Sequence, residues 1–187
     1  MNGHHLILGE LRDYLTGEPL ADTHDERYRQ KIMRLLVEQK HYPPSSLTPR
    51  YPLAIRAGGQ SAQVLVTLFA KLLQRVVLLV QYGPGSLTTR QRPALAMSRL
   101  LFPYQVPLVV VTNGEQADVL DGFSGRCIVS SLDKIPAYEQ LERLTATTTW
   151  SPIDDHRAKM EARIVFAFEV NDRCPCDDTL CRTVPST

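Results

Sequence analysis

The segment Gly83-Pro84-Gly85-Ser86-Leu87-Thr88-Thr89-Arg90 is a glycine-rich turn leading into a helix, and its residue types suit phosphate recognition. Backbone N–H groups at a helix start favour anions. Ser86, Thr88, Thr89 and Arg90 would add donors there, and Arg92 and Arg99 follow on one face of the helix. The turn lacks the Gly-Lys-Ser/Thr ending of a P-loop. Its alternative reading is a helix entry capped by Ser or Thr. A second grouping is Cys174-Pro175-Cys176 with Cys181. Three thiolates plus His4, His5 or Cys127 could hold Zn²⁺ tetrahedrally, although the second pair of a Cys-x₂-Cys module is missing. Free thiols on a tail, or a disulfide, compete with that reading. A third grouping, Glu115, Asp118 and Asp121, follows the Asn113-Gly114 turn. Strand alternation puts 115 and 121 on one face and 118 on the other, so these acids read as solvated surface. No Ser-His-Asp or Cys-His grouping stands out.

The charge distribution sharpens the phosphate reading. From Gln39 to Gly114 there is no Asp and no Glu, yet the window carries Lys40, Arg50, Arg56, Lys71, Arg75, Arg90, Arg92 and Arg99. The formal net charge of +1 hides this basic centre between acidic flanks. Such a block favours an anionic partner and disfavours Mg²⁺ or Ca²⁺, which need carboxylate oxygens. The competing reading is that these cations merely decorate a surface.

The elements that would position these residues follow from patterning. Thr23 and Glu26 have the spacing of a capping box at the start of a helix over about 25–40, with Tyr28, Ile32, Leu35 and Leu36 as its apolar stripe. Strands are expected over Tyr51–Ala57, Gln63–Phe69 and Arg75–Tyr82; the run Val76 to Val80 suits a strand buried on both faces. A helix over Thr89–Leu101 would carry Pro93 in its first turn. Further strands are expected at Leu108–Thr112, Ala117–Leu120 and Cys127–Val129, the first two joined through Asn113-Gly114. Ser131 or Asp133 would start a helix reaching Leu144. Asp154 or Asp155 would start another reaching Val170, and an irregular tail would begin at Asn171. The order implies an α/β domain over 1–145 with a mixed central sheet flanked by helices, followed by a C-terminal helix and Cys-containing tail over 146–187. No apolar run approaches the ~20 residues of a membrane span. The N-terminus has no secretory pattern and the four cysteines form no disulfide framework, so the expected setting is cytoplasmic.

This ordering, with the phrases Asp25-Glu26-Arg27, Val77 to Tyr82 and Pro107 to Gly114, resembles the N-terminal domain of type I restriction enzyme R subunits over about residues 10–145. That domain belongs to the restriction-endonuclease-like PD-(D/E)XK superfamily. The resemblance implies an Asp near the start of one core strand, a Glu-x-Lys at the end of the next, and often an upstream helix Glu. Two carboxylates would hold a divalent metal at the scissile phosphate, and the Lys would position the attacking water. On this chain the helix Glu is Glu26. The Asp position falls at Gln63, and the Glu-x-Lys falls at Val80-Gln81-Tyr82 or one residue earlier. Neither register offers a carboxylate or a lysine.

The sequence therefore reads as a restriction-endonuclease-like module that has lost its catalytic acids and binds nucleic acid through Ser86, Thr89, Arg90, Arg92 and Arg99, without a cofactor. Two alternatives stand beside it. One is an active Mg²⁺-dependent endonuclease whose site has migrated to Glu26 with Asp118 or Asp121. The other is a protein-interaction or structural module, such as a homodimer through sheet edges or the C-terminal helix.

Overall fold

The computed structural model describes residues 8–171 and 181–183. A small hairpin, β1 (Glu10–Arg12) and β2 (Pro19–Ala21), precedes α1 (His24–Arg34), which a π turn extends through Leu35–Gln39. Then come β3 (Leu47–Ala57), β4 (Gln60–Leu72), β5 (Arg75–Tyr82), α2 (Leu87–Leu100), β6 (Leu108–Thr112), β7 (Ala117–Asp121) and β8 (Cys127–Ser130). Helices α3 (Tyr138–Thr145) and α4 (Asp155–Phe166) and strand β9 (Cys181–Thr183) complete the described elements. The main sheet runs β3-β4-β5-β6-β7-β8, and β9 also pairs with β4. Among the described strands only β5 and β6 pair in parallel; α2 is the crossover between them, as a parallel pair requires. The fold is thus α/β, a mixed sheet flanked by helices.

Each face of the sheet buries its own apolar layer. On one face Val66, Phe69, Leu79, Val109, Val111 and Leu120 pack with Ala94 and Met97 of α2 and Val165 and Phe166 of α4. On the other, Leu68, Leu78, Val80, Tyr82, Val110 and Val119 pack with Ile32, Met33 and Leu36 of the α1 region and Leu141 of α3. Helix α4 therefore shares a core with residues before 145. Its start is fixed by Asp154, whose carboxylate accepts from Arg157 N.

The β3–β4 hairpin is broken in the middle. Pro49 pairs with Leu68 and Tyr51 with Val66, but the register skips Arg50 and Thr67. Arg50 takes a φ of +48°, in the left-handed region that non-glycine residues rarely occupy. Across the break the side-chain phase reverses. Val64 and Val66 face α2 and α4, whereas Leu68 and Ala70 face α1 and α3. Beyond the break β4 leaves β5, its pairing with β5 ending at Leu68–Val80, and β9 takes over at Ala62–Val64.

Several expectations need correction. Helix α2 starts two residues earlier than patterning implies, so Pro93 lies in the second turn, not the first, and removes one intrahelical bond. Helix α3 starts at Tyr138 rather than at 131 or 133, because Leu132–Lys134 closes as a short 3-10 turn before Pro136. The Gln140 side chain then accepts from Ala137 N. The tail is not irregular throughout, since Cys181–Thr183 forms β9. Truncation after Asp172 would therefore remove a strand paired with β4. His4, His5, Cys174 and Cys176 lie outside the described residues.

Candidate functional site

The fork between β5 and β9 is where β4 turns away from the sheet, and two neutral side chains fill it. Gln81 accepts from Thr67 N through Oε1 at 3.0 Å, and Thr67 Oγ1 accepts from Tyr82 N at 3.1 Å. Both residues are buried. Side-chain groups thus replace the ladder bonds that the diverging strands can no longer make, as buried backbone donors demand. Gln81 shares a face with Val111 and Asp118, one on each successive strand. Val80 and Tyr82 point to the opposite face, into the α1 layer.

Gln63 is elsewhere. It is exposed and pairs with Ala54 and Arg182, so the residue that meets Gln81 is Thr67 and not Gln63. The break at Arg50 and Thr67 hides this from the sequence, because a smooth hairpin gives no reason to single out Thr67.

Glu26 serves α1 and the small hairpin. Thr23 Oγ1 accepts from Glu26 N at 3.1 Å, which is the first half of a capping box. The second half is absent: the Glu26 carboxylate accepts instead from Arg29 at 3.2 Å and Gln30 at 2.8 Å, and lies 3.6 Å from Arg50. The same network contains Asp13, which sequence reasoning missed. Its side chain is fully buried and accepts from Arg50, Gln30, Leu15 N and Thr16 N. Burial pushes the Asp13 pKa up, but the bonds from Gln30, Arg50 and Thr16 together outweigh it and hold the carboxyl at about 2. The turn formed by Asp13 over Thr16 and Gly17 is legible in sequence as an Asp-led turn. Its partner Arg50, 37 residues away, is not.

The acids of the migrated-site reading stay apart. Asp118 is buried and accepts from Gln91 Nε2 at 2.7 Å, Asp121 accepts from Ser124, and Glu26 is held by cations. Among the described residues no group of three or more His, Cys, Asp or Glu side chains is placed to hold a metal ion. At the fork the donor set is a hydroxyl and a carboxamide, both bonded to backbone, which does not fit a Mg²⁺ ion that binds through carboxylates. Of the cysteine grouping, Cys181 opens β9, and Cys127 lies exposed on β8 with Sγ 3.4 Å from Ser130 Oγ.

The phosphate-directed residues divide into two sets. Ser86 is the N-cap residue of α2 but makes no side-chain cap; Thr89 Oγ1 donates to the Ser86 carbonyl. Ser86 and Thr89 are exposed. The Arg90 side chain lies over Gly83, so close that a Cβ on that glycine would sit 3.1 Å from its Cδ and Nε. Arg90 forms no ion pair among the described residues. Arg99 differs: it is buried, donates to Glu161 Oε1 at 2.8 Å and to the Phe123 carbonyl at 3.1 Å, and cannot serve as an exposed phosphate contact. Arg92 shares the same carboxylate, 2.6 Å from Oε2, yet keeps 44% of its side chain exposed. Glu161 is a second residue that sequence reasoning missed; its place in the first turns of α4 gave no hint of partners 62 residues earlier.

No helix among the described residues is long and apolar enough to cross a membrane. No curated protein and no solved structure matches the chain. The family described as type I restriction enzyme R protein N terminus (HSDR_N) matches residues 24–136, from the start of α1 through the 3-10 turn after β8. That span holds α1, the broken hairpin, the fork residues Thr67 and Gln81 and the crossover helix, and it is more than half of the 187 residues. The chain belongs to the family of the type I restriction enzyme R protein N terminus.

Proposed function

We propose that this domain associates with nucleic acid and does not cleave it. The observation that carries the reading is the fork, where Thr67 and Gln81 are neutral and spend their oxygens on backbone donors. A metal-dependent phosphodiesterase needs paired carboxylates to hold its ion against the scissile phosphate, and an acid that shares that face, Asp118, is tied to Gln91. Beside the fork, the start of α2 offers exposed Ser86 and Thr89 and a cation, Arg90, that forms no ion pair among the described residues. These groups suit phosphate contacts, which position a protein on nucleic acid without reading sequence. A reducing, cytoplasmic setting fits this role.

The test has two parts. Highly purified protein incubated with supercoiled plasmid and Mg²⁺ or Mn²⁺ is expected to leave it intact. Linearisation that disappears in Glu26→Ala would overturn the non-cleaving half and restore the migrated site. Binding of duplex and single-stranded DNA is expected at about 50 mM salt and is expected to fall steeply by about 200 mM, as counterion release requires. The variant Arg90→Gln should flatten that salt dependence. No binding at the lower salt concentration would sink the association half and favour a protein-interaction module.

A further inference from the structure

Between α2, the first turns of α4 and the β7–β8 loop lies a cleft of about 610 Å³, lined by Arg92, Arg99, Ser124, Gly125, His156 and Arg157 among others. Its charge is unbalanced. A single buried carboxylate, Glu161, faces three guanidiniums: Arg99 at 2.8 Å, Arg92 at 2.6 Å and Arg157 at 3.6 Å. Among the described residues that line the cleft, one acid faces three guanidiniums, so two positive charges are unmatched there. Arg92 and Arg157 keep 44% and 43% of their side chains in solvent, so both are accessible to a ligand entering the cleft. Arg99 forms the floor, and its Nε is buried without a hydrogen-bond partner. The acid nearest Ser124 is Asp121, which accepts its backbone N–H and its hydroxyl and so does not oppose the guanidiniums directly.

A helix–helix staple alone would need one arginine for one glutamate. Three guanidiniums around one carboxylate repel each other, and burial, with Arg157 and Arg92 adding, pulls the Arg99 pKa down against the pull of Glu161. The excess is explained if the site is completed by an anion. Gly125 keeps the loop low here: its φ is +73°, and a Cβ would approach Leu95 Cδ1 at 3.1 Å and Arg99 Nη2 at 3.9 Å. Guanidinium forks match the paired oxygens of phosphate.

We propose that this cleft is a phosphate-binding pocket, receiving one phosphate group between Arg92 and Arg157 above Arg99. The source is either a backbone phosphate of bound nucleic acid, which rests on the function proposed above, or free phosphate. The pocket itself stands without that function.

The experiment uses the full chain. Thermal unfolding is followed while about 10 mM inorganic phosphate replaces chloride at constant ionic strength. A ligand that binds only the folded state raises the melting temperature in proportion to its occupancy. The expected result is a rise for the wild type and, for Arg92→Gln/Arg157→Gln, an apparent phosphate affinity at least about tenfold weaker. Equal melting in phosphate and chloride for the wild type would overturn the pocket. So would an unchanged rise in the double variant. If the double variant does not fold, Arg157→Gln alone serves, because its contact to Glu161 is long and half exposed; a rise undiminished in that variant counts against the pocket. The second arm measures DNA binding against salt. A log–log slope reduced by about one to two in the double variant assigns the pocket to backbone phosphate. An unchanged slope with the phosphate effect lost assigns it to free phosphate. A wild type that binds phosphate but no DNA keeps the pocket and sinks the nucleic-acid function, so the two failures are distinguishable.

Discussion

The two charged clusters of this domain sit on opposite faces of one sheet and are built to opposite rules. Around α1, the buried Asp13, Glu26 and Gln30 meet Arg29 and Arg50, with Glu18 at the edge, and carboxylates slightly outnumber cations. Between α2 and α4, one carboxylate serves three arginines. The first network is nearly neutral and mostly buried, and it ties the β1–β2 hairpin and α1 to the break in β3. The second is cationic and open to a cleft. Burying charge is unfavourable unless it is paired, so a balanced cluster is what structure alone would select. The imbalance on the other face has a different origin, and ligand binding is the one that chemistry supplies.

The comparison breaks most visibly at Glu161. Its removal in Glu161→Ala leaves the buried Arg99 without a counter-charge and three guanidiniums facing one another. The expected destabilisation is about 3–5 kcal/mol, the range for stripping one partner from a buried pair. Chemical denaturation at neutral pH measures it. A loss below about 1 kcal/mol would mean that Arg99 turns to solvent and that the cluster is not a fixed unit.

On the balanced face the corresponding change is Asp13→Asn. The folded pKa of Asp13, about 2, lies below the ordinary 3.8, so its contribution is present above about pH 4 and disappears as pH falls toward 2. The size is about 2 kcal/mol, from the shift between those two values. Wild type and variant should differ by that amount at pH 7 and converge near pH 2 in parallel denaturation series. A constant difference across the range would show that packing, and not the ionised carboxylate, carries the effect.

Between the two clusters stands the fork, which involves no charge. Gln81→Ala leaves Thr67 N without its acceptor in a buried place, at a cost of about 1–2 kcal/mol. Hydrogen exchange at the Thr67 amide should accelerate while exchange in the paired segment Leu78–Val80 stays slow. Equal protection in both proteins would mean that another group takes over the Thr67 donor.

How much of this was legible in the sequence follows from range. The limits of β5 and β6, the Asn113-Gly114 turn and the cap at Asp154 depend on neighbours a few residues away, and apolar runs and turn residues report them. That Tyr51–Ala57 and Gln63–Phe69 lie in strands was nearly as plain. The reversal at Arg50 and Thr67 was not, because the cause lies in Asp13 and Glu26, which draw the Arg50 side chain to the α1 face. For the same reason the sequence does not show that the residue meeting Gln81 is Thr67 and not Gln63. Arg92 and Arg99 were rightly placed on one helix face, but the residue that face meets, Glu161, comes from an element whose docking no local pattern records. The short β1, β2 and β9 carry too few residues to show a period.

The smallest expected effect is the one that separates the two faces most sharply. Arg157 touches Glu161 at 3.6 Å with nearly half of its side chain in water, and exposed pairs of that kind contribute about 0–1 kcal/mol. Arg157→Gln should therefore hardly change the denaturation midpoint in chloride, and by easing repulsion on Arg99 it can even raise it. Arg50→Gln, its counterpart in the mostly buried network, leaves Asp13 and Glu26 buried with one cation fewer and should cost clearly more, about 2 kcal/mol or above. A cation whose loss leaves stability alone but removes the response to phosphate is held there for its ligand. If Arg157→Gln proves as damaging as Arg50→Gln, the two clusters follow one rule after all, and the excess charge between α2 and α4 belongs to the fold.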